Sequence, residues 1–189
     1  MWDIDKIKAY LKENLMENRY NHTLGVVETA KVLANINGVD VKKAEVAALS
    51  HDVAKNMTIE SMRQIIEENN IELSYETLET PELWHSIVGP IIGEEVFEIN
   101  DKDILNAMRW HTTGKENMTT LEKIIYMADM IEPKRSFPGV EELRRTTFED
   151  LDKGFLMALN HTIKHLLNRG LYVDINTIKA RNFIILNKK

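Results

Sequence analysis

The sequence predicts an all-α protein, and three observations lead to this prediction. Apolar residues recur at the three- and four-residue spacing of helices in nearly every segment. The 4 prolines and 8 glycines fall mainly between those segments, where such residues end helices. The chain has 189 residues, of which 43% are hydrophobic, and this is enough for one domain with a sizeable core. We therefore expect residues 1–189 to form a single helical bundle.

The N-terminal part of the chain predicts four helices separated by short polar turns. The first carries an apolar stripe from Ile4 to Leu15. The second runs from about residue 20 to residue 36 and ends before Gly38, and the third covers about residues 41 to 54. Thr58 is expected to cap a fourth helix that extends to about residue 69.

The middle of the chain predicts two further helical regions. The segment from Thr80 begins with a capping residue followed by Pro81 at the first helical position, as is typical of a helix start. The pair Gly89-Pro90 then interrupts the pattern, which indicates a kinked helix or two short ones. Another helix is expected from about Asp101 to His111.

The last part of the chain predicts three helices. Thr119 and Glu122 have the spacing of a capping box, and the helix that they begin continues to Glu132. A long helix carries the apolar stripe of Leu151, Phe155, Leu159, Ile163 and Leu166, and Gly170 closes it. A short helix follows from about Thr177.

Composition excludes several classes of partner. A net charge of -6 and a pI near 5.6 argue against nonspecific binding of nucleic acid, so that any anionic substrate must be met by a local group of Lys and Arg. There is no cysteine, and the ligands of any metal must be His, Asp or Glu. No segment predicts a signal peptide or a membrane span. We expect a cytoplasmic protein with no membrane partner.

The segment LSHDVAK, residues 49–55, places an imidazole and a carboxylate side by side at the end of an apolar helix. Ala44, Ala47 and Ala48 form the buried face, and His51 continues that face instead of the solvent side. An ionised Asp52 taken out of water without a partner costs several kcal/mol. Something in the interior must therefore compensate its charge.

Four other polar side chains have the same inward spacing. His22, His85 and His111 each share a helical face with apolar residues, and Asp129 follows one turn after Ile125. A lone inward histidine is more often a hydrogen-bonded core residue than a ligand. Four histidines and two aspartates in one core would leave several polar groups unpaired unless they shared a cation. The set predicts a divalent metal such as iron, manganese or zinc, with donors enough for two ions.

His161 and His165 have the i, i+4 spacing of a helical metal pair. They lie on the flank of the long helix, away from its apolar stripe, and no acidic residue follows in ligand position. We therefore expect both to be ordinary surface or interface residues.

The order of His22, then His51 and Asp52, then Asp129 resembles the H…HD…D ligand pattern of the HD superfamily of metal-dependent phosphohydrolases. The surrounding segments are more specific than this pattern, and they read RYNHTLGV, HDVAK, LWHSIVG, MRWHTTG and KIIYMADMIEPKRSFPGVEELR. Together they resemble the YqeK branch, the bacterial symmetrical diadenosine tetraphosphate hydrolases. This implies one HD-domain helical bundle with a core at about residues 19–135, on which helices from residues 140–189 pack.

The resemblance also implies roles for individual residues. An iron ion would be held by His22, His51, Asp52 and Asp129, while His85 and His111 would face the phosphates or complete a second metal position. The implied catalytic residues are Asp52, His85, His111 and Lys55. The implied substrate-binding residues are Arg19, His22, Asp52, Val53, Ala54, Lys55, His85, His111, Asp129, Arg135, Tyr172 and Thr177. The positions of three of them give independent support. Arg19 and Lys55 lie about one turn from His22 and His51, and Arg135 follows a ligand helix at a proline-bounded turn.

The function that this implies is symmetrical hydrolysis of diadenosine tetraphosphate, a dinucleoside polyphosphate, to two ADP. Two alternatives stay open. The same metal site could act on nucleoside mono-, di- or triphosphates, or the chain could be a regulatory module that binds metal and nucleotide without turnover. Intact ligands argue against the second alternative. The resemblance also implies a homodimer.

Overall fold

The computed structural model describes residues 1–187 and confirms the all-α prediction, with no β-strand in that range. Within residues 1–187, eleven α-helices follow one another. They are Ile4–Asn14 (α1), Glu17–Ile36 (α2), Val41–Ser50 (α3), Ile59–Glu68 (α4), Tyr75–Leu78 (α5), His85–Glu95 (α6), Lys102–Trp110 (α7), Thr120–Ile131 (α8), Val140–Glu149 (α9), Leu151–Asn168 (α10) and Ile175–Leu186 (α11).

The core is built around α2, which packs against α3 and α8, while α7 packs against α3, α6 and α8. Fully buried alanines on α2 and α3, among them Ala30 and Ala47, allow these two helices to approach closely. Larger side chains such as Leu33 on α2 and Ile124 on α8 fill the remaining space. The interior is therefore lined by the helices that carry most of the inward polar residues.

The third helix ends earlier than predicted, at Ser50 and not near residue 54. The His51 ring donates from Nδ1 to the carbonyl of Ala48, at 2.6 Å. In a continued helix that carbonyl would accept from the N–H of Asp52. Residues 51–57 instead form tight turns, in which an N–H donates to the carbonyl three residues earlier. One example is Lys55 N to Asp52 O at 2.9 Å. The end of α3 thus turns Asp52 into the interior.

Of the two alternatives predicted for Gly89-Pro90, two short helices separated at this pair are contradicted. Helix α6 continues through Pro90, and the break lies before it, where a 3₁₀ turn spans Pro81–Leu83. Thr80 does not cap this turn, because its hydroxyl donates to the carbonyl of Glu76 at 2.8 Å. Pro90 lies in a helix with a largely buried apolar face, and burial of that face outweighs the one backbone hydrogen bond that proline removes.

The C-terminal part of the described chain, residues 119–187, contains four helices and not the predicted three, because the segment after the loop at residues 133–139 forms two helices instead of one. The capping box of α8 is confirmed, since Thr119 Oγ1 accepts from the N–H of Glu122 and the Glu122 carboxylate accepts from the N–H of Thr119. Asp150 separates α9 from α10, and Gly154 of α10 lies directly against Thr147 of α9. Helix α11 begins two residues before the predicted start.

None of the helices found among residues 1–187 combines the length and the apolar character that a transmembrane segment requires.

Candidate metal centre

Six polar side chains from five regions of the fold converge in the interior. His22 lies within α2, His51 and Asp52 follow α3, His85 begins α6, His111 follows α7, and Asp129 lies in the last turn of α8. All are buried except Asp129, which is partly exposed. The structure therefore brings together the four histidines and two aspartates that the sequence predicted to face inward.

Three of the histidines are oriented by the same local device. His51, His85 and His111 each donate from Nδ1 to the carbonyl three residues earlier, at 2.6, 2.7 and 2.6 Å. All three lie at a helix end, where carbonyl groups are not all used by the helix itself. A carbonyl can only accept a hydrogen bond, so Nδ1 carries the hydrogen and each Nε2 presents a lone pair to the interior.

His22 is held differently because it lies inside a helix, where backbone carbonyls are occupied. Its Nδ1 lies 3.1 Å from Oε1 of Glu132, whose other oxygen accepts from the N–H of Lys134 at 2.7 Å. Glu132 is only 2% exposed. The absence of a side chain at Gly25 makes room for it, since a Cβ there would lie 2.6 Å from Glu132 Oε2. Sequence reasoning missed Glu132 as a site residue, because the contact joins positions 110 residues apart.

The atoms that face the centre fit a divalent cation. His22 Nε2 and Asp129 Oδ1 are 2.8 Å apart. Because the hydrogen of the His22 ring is on Nδ1, both of these atoms are acceptors. Two acceptors at this distance need a cation or a proton between them. His51 Nε2 and Asp52 Oδ1 are buried and find no hydrogen-bond partner within residues 1–187. Ligand atoms lie within 4.8 Å of one another in two groups, His22 with His51 and Asp129, and His51 with Asp52 and His111.

Both aspartates are held in the ionised form that metal binding requires. Burial favours protonation of Asp52, but His51 and His111 outweigh it and keep the pKa of Asp52 well below its usual value. Burial favours protonation of Asp129 as well, but its close neighbours His22 and His51 and the charge of Arg135 outweigh it and lower the pKa of Asp129. Two carboxylates in one buried site are thus available as anionic ligands.

Basic side chains surround this cluster. Arg19 Nη1 lies 2.8 Å from Asp52 Oδ2, and Arg135 Nη2 lies 2.6 Å from Asp129 Oδ1. Lys55 Nζ lies 3.2 Å from His85 Nε2. Burial lowers the pKa of Lys55, and burial together with His111 and Lys55 lowers the pKa of His85 to about 3. His85 is therefore a neutral acceptor toward Lys55 at neutral pH.

The remaining predicted substrate-binding residues lie less directly at the centre. Val53 and Ala54 have buried side chains in the turn after Asp52, so only their backbone groups could reach a ligand. Thr177 is also buried, and its hydroxyl donates to the carbonyl of Thr113 at 2.9 Å, which joins α11 to the loop after His111. Tyr172 is 42% exposed, and burial together with Asp174 and Glu76 raises the pKa of its phenol.

Two clefts open beside the cluster. One, of about 260 Å³, is bounded by Lys55, His85 and the apolar side chains of Ile59 and Met62. The other, of about 330 Å³, is called the α10 cleft here and is lined among others by His111, Asp129, Arg135, Phe137, His161 and His165.

His161 and His165 do not contribute to the ligand groups found in residues 1–187; His165 is exposed and His161 is half-buried. Their place in one cleft with Asp129 and Arg135 was not predicted. Their rings are nearly parallel, with centroids 6.5 Å apart, and the Phe137 ring lies 4.8 Å from His161. Helix α10 therefore presents rings to the edge of the cluster.

The chain is similar to known proteins over almost its whole length. The family model described as HD domain matches residues 19–134. A protein of Bacillus subtilis named "Bis(5'-nucleosyl)-tetraphosphatase, symmetrical" is 41% identical over 177 residues, which cover 94% of this chain and 95% of that protein. A protein of Halalkalibacterium halodurans with the same name is 42% identical over 186 residues, covering 97% and 98%.

A solved structure from Clostridium acetobutylicum has the same fold. It is described as a predicted HD superfamily hydrolase involved in NAD metabolism. The two chains superimpose with a TM-score of 0.97 and share 47% sequence identity, and the similarity covers 100% of each.

Proposed function

The chain belongs to the HD domain family, and we propose that it hydrolyses diadenosine tetraphosphate symmetrically to two ADP. The observation that carries this proposal is the 41–42% identity, over nearly the full chain, to proteins named as symmetrical bis(5'-nucleosyl)-tetraphosphatases. The buried histidines and aspartates, with basic side chains around them, support the same chemistry. Such a site suits the hydrolysis of a phosphoric anhydride.

We propose that a divalent ion is held by His22, His51, Asp52 and Asp129, with His85 and His111 beside it. When bound, such an ion lowers the pKa of a water ligand and withdraws charge from phosphoryl oxygens. Mixed imidazole and carboxylate donors suit iron, which we propose, and they also suit manganese and zinc. The prediction that the site holds one or two ions is unchanged.

Asp52 is the residue best suited to orient the attacking water. Its Oδ1 is buried, ionised and without a hydrogen-bond partner within residues 1–187, so it can accept a hydrogen bond from water. Its Oδ2 is already fixed by Arg19. Arg19 thus holds the side chain through Oδ2, and Oδ1 is left to face both the ion and the water.

The charge of the substrate can be met by the three basic side chains at the edge of the site. Lys55 reaches the cluster beside His85, while Arg19 and Arg135 contact the two carboxylates. Guanidinium groups can bind phosphate oxygens in a bidentate manner, and an ammonium group offsets charge on the departing ADP. His111 and neutral His85 border the space where phosphate oxygens would lie.

The proposed function is tested by identifying the products from diadenosine tetraphosphate in water labelled with heavy oxygen. We expect ADP as the sole product, with label in one ADP of each pair, because the water attacks a central phosphorus. AMP together with ATP would reject symmetrical cleavage. Hydrolysis of a mononucleotide without turnover of the dinucleotide would favour the nucleotidase alternative. Nucleotide binding without any turnover would favour the regulatory module.

A cytoplasmic location and a homodimer, both expected from the sequence, stay predictions. Light scattering of the purified protein measures the oligomeric state.

A further inference from the structure

We propose that the α10 cleft binds the adenine and ribose of one half of the dinucleotide, with the base stacked on Phe137 and His161. This inference rests on the proposed function and extends it. It assigns a role to a group of rings that lies outside the ligand cluster and that the hydrolytic chemistry does not use.

The cleft is continuous with the proposed phosphate site. Asp129, Arg135 and His111 line both, so a nucleotide with its phosphate beside Arg135 would place its nucleoside in this cleft. Its volume of about 330 Å³ lies at the lower end of the range for ligand pockets, which is roughly 300–1,000 Å³. A cleft of this size suits one nucleoside and not a whole dinucleotide.

The rings in the cleft are arranged to receive a flat ligand. Phe137 and His161 are both partly exposed, and their ring planes are tilted by 40° at a centroid distance of 4.8 Å. These two rings therefore do not cover each other face to face, and part of a ring face is left for a base. His165 also lines the cleft, and its ring lies parallel to that of His161 within 5°. Aromatic side chains stack on any base, because every base has a π-face.

The polar character of the cleft fits a nucleoside better than a purely apolar ligand. Burial, together with His165 and Lys164, lowers the pKa of His161, so that its ring is neutral at neutral pH. A neutral imidazole offers one donor and one acceptor to the edge of a base or to a ribose hydroxyl. Arg135, which lines the cleft and contacts Asp129, offers a charge for the first phosphate.

The test compares the binding of ADP with that of inorganic pyrophosphate, which has no base, to metal-loaded protein. Phe137→Ala and His161→Ala are each expected to weaken ADP binding about tenfold, the scale of base–aromatic stacking, and to leave pyrophosphate binding unchanged. Phe137→Trp keeps a ring and should retain ADP binding. Phe148→Ala is the matched control, because this phenylalanine is 37% exposed on α9 and does not line the cleft.

A second measurement reports on stacking directly. The fluorescence of 2-aminopurine riboside diphosphate falls when its base stacks, and we expect quenching by the wild type and by Phe148→Ala but not by Phe137→Ala. Unchanged ADP binding in both cleft variants, or an equal loss of ADP and pyrophosphate binding, would overturn the inference. Failure of the proposed function appears separately, as wild-type protein that leaves diadenosine tetraphosphate intact.

Discussion

Replacement of Glu132 by alanine removes the only side-chain partner of the His22 Nδ1 among residues 1–187 and should loosen the metal centre. Glu132 is buried, and its carboxylate accepts from His22 at 3.1 Å and from the N–H of Lys134 at 2.7 Å. Hydrogen bonds to a charged group contribute about 1.5–3 kcal/mol each. The His22 bond also fixes which ring nitrogen faces Asp129.

Two independent arguments give a similar size for the loss of metal affinity in Glu132→Ala. Loss of the hydrogen bond to His22, at about 1.5–3 kcal/mol, corresponds to roughly 10- to 150-fold weaker binding. Loss of an outer partner of a metal-bound histidine typically costs about 10- to 100-fold in affinity. Glu132→Gln keeps an acceptor oxygen but loses the charge, so its loss should be smaller than that of Glu132→Ala.

The assay is competition for the metal against a chelator of known affinity, together with nitrogen NMR of the His22 ring to identify its tautomer. Gly25→Ala offers a second route to the same effect, because its Cβ would lie 2.6 Å from Glu132 Oε2 and displace the carboxylate. Gly154→Ala is the matched control. Its Cβ would lie 2.4 Å from Thr147 Oγ1, and neither residue belongs to a ligand group, so it should lower stability by about 1–3 kcal/mol without changing metal affinity.

Wild-type metal affinity in Glu132→Ala, with an unchanged His22 tautomer, would refute this reasoning. So would an equal loss of metal affinity in Gly25→Ala and Gly154→Ala, because the effect would then follow general instability and not the position of Glu132.

Three further predictions follow from the site and its support. His51→Ala and Asp129→Asn should each lose bound metal and nearly all hydrolysis while circular dichroism stays helical; full metal content with normal turnover would contradict the ligand set. Lys55→Ala should raise the KM for the dinucleotide or lower kcat while metal analysis shows unchanged content, because its expected partner is a phosphate. Arg144→Ala removes donors to the carbonyls of Ile131, Glu132 and Arg135. The loss of about 1–3 kcal/mol in the free energy of unfolding should lower the Tm by several degrees in a thermal melt. An unchanged Tm would show that water replaces these bonds.

Local sequence signals predicted most of the described helices, but not α5 or a separate α9, and they predicted helix ends less well. The apolar period and the capping box of Thr119 depend on residues within a few positions, and both are confirmed. The end of α3 depends on a side chain, since His51 takes the carbonyl that would continue the helix. The path of α6 through Pro90 depends on burial against other helices, which no local pattern contains.

In the candidate site too, features that depend on nearby residues were predicted, and contacts between distant residues were not. The inward faces of His22 and Asp129 could be predicted because each lies on a helix with a clear apolar stripe, and the family is confirmed by the HD domain match. The contact between His22 and Glu132 joins distant parts of the chain, as does the meeting of Phe137 with His161. The catalytic and substrate-binding roles, and the single-domain organisation of residues 1–189, stay predictions.

The position of His51 limits how ions can share the centre. This residue belongs to both groups of ligand atoms, yet its Nδ1 is committed to the Ala48 carbonyl and only Nε2 is free to coordinate. One imidazole nitrogen has one lone pair and can bind one ion at a time. Two ions could be present together only if one of them were held without His51, by the remaining carboxylates and histidines. The two positions should therefore have unequal affinities, and a metal titration should fill them in sequence and not as an equivalent pair.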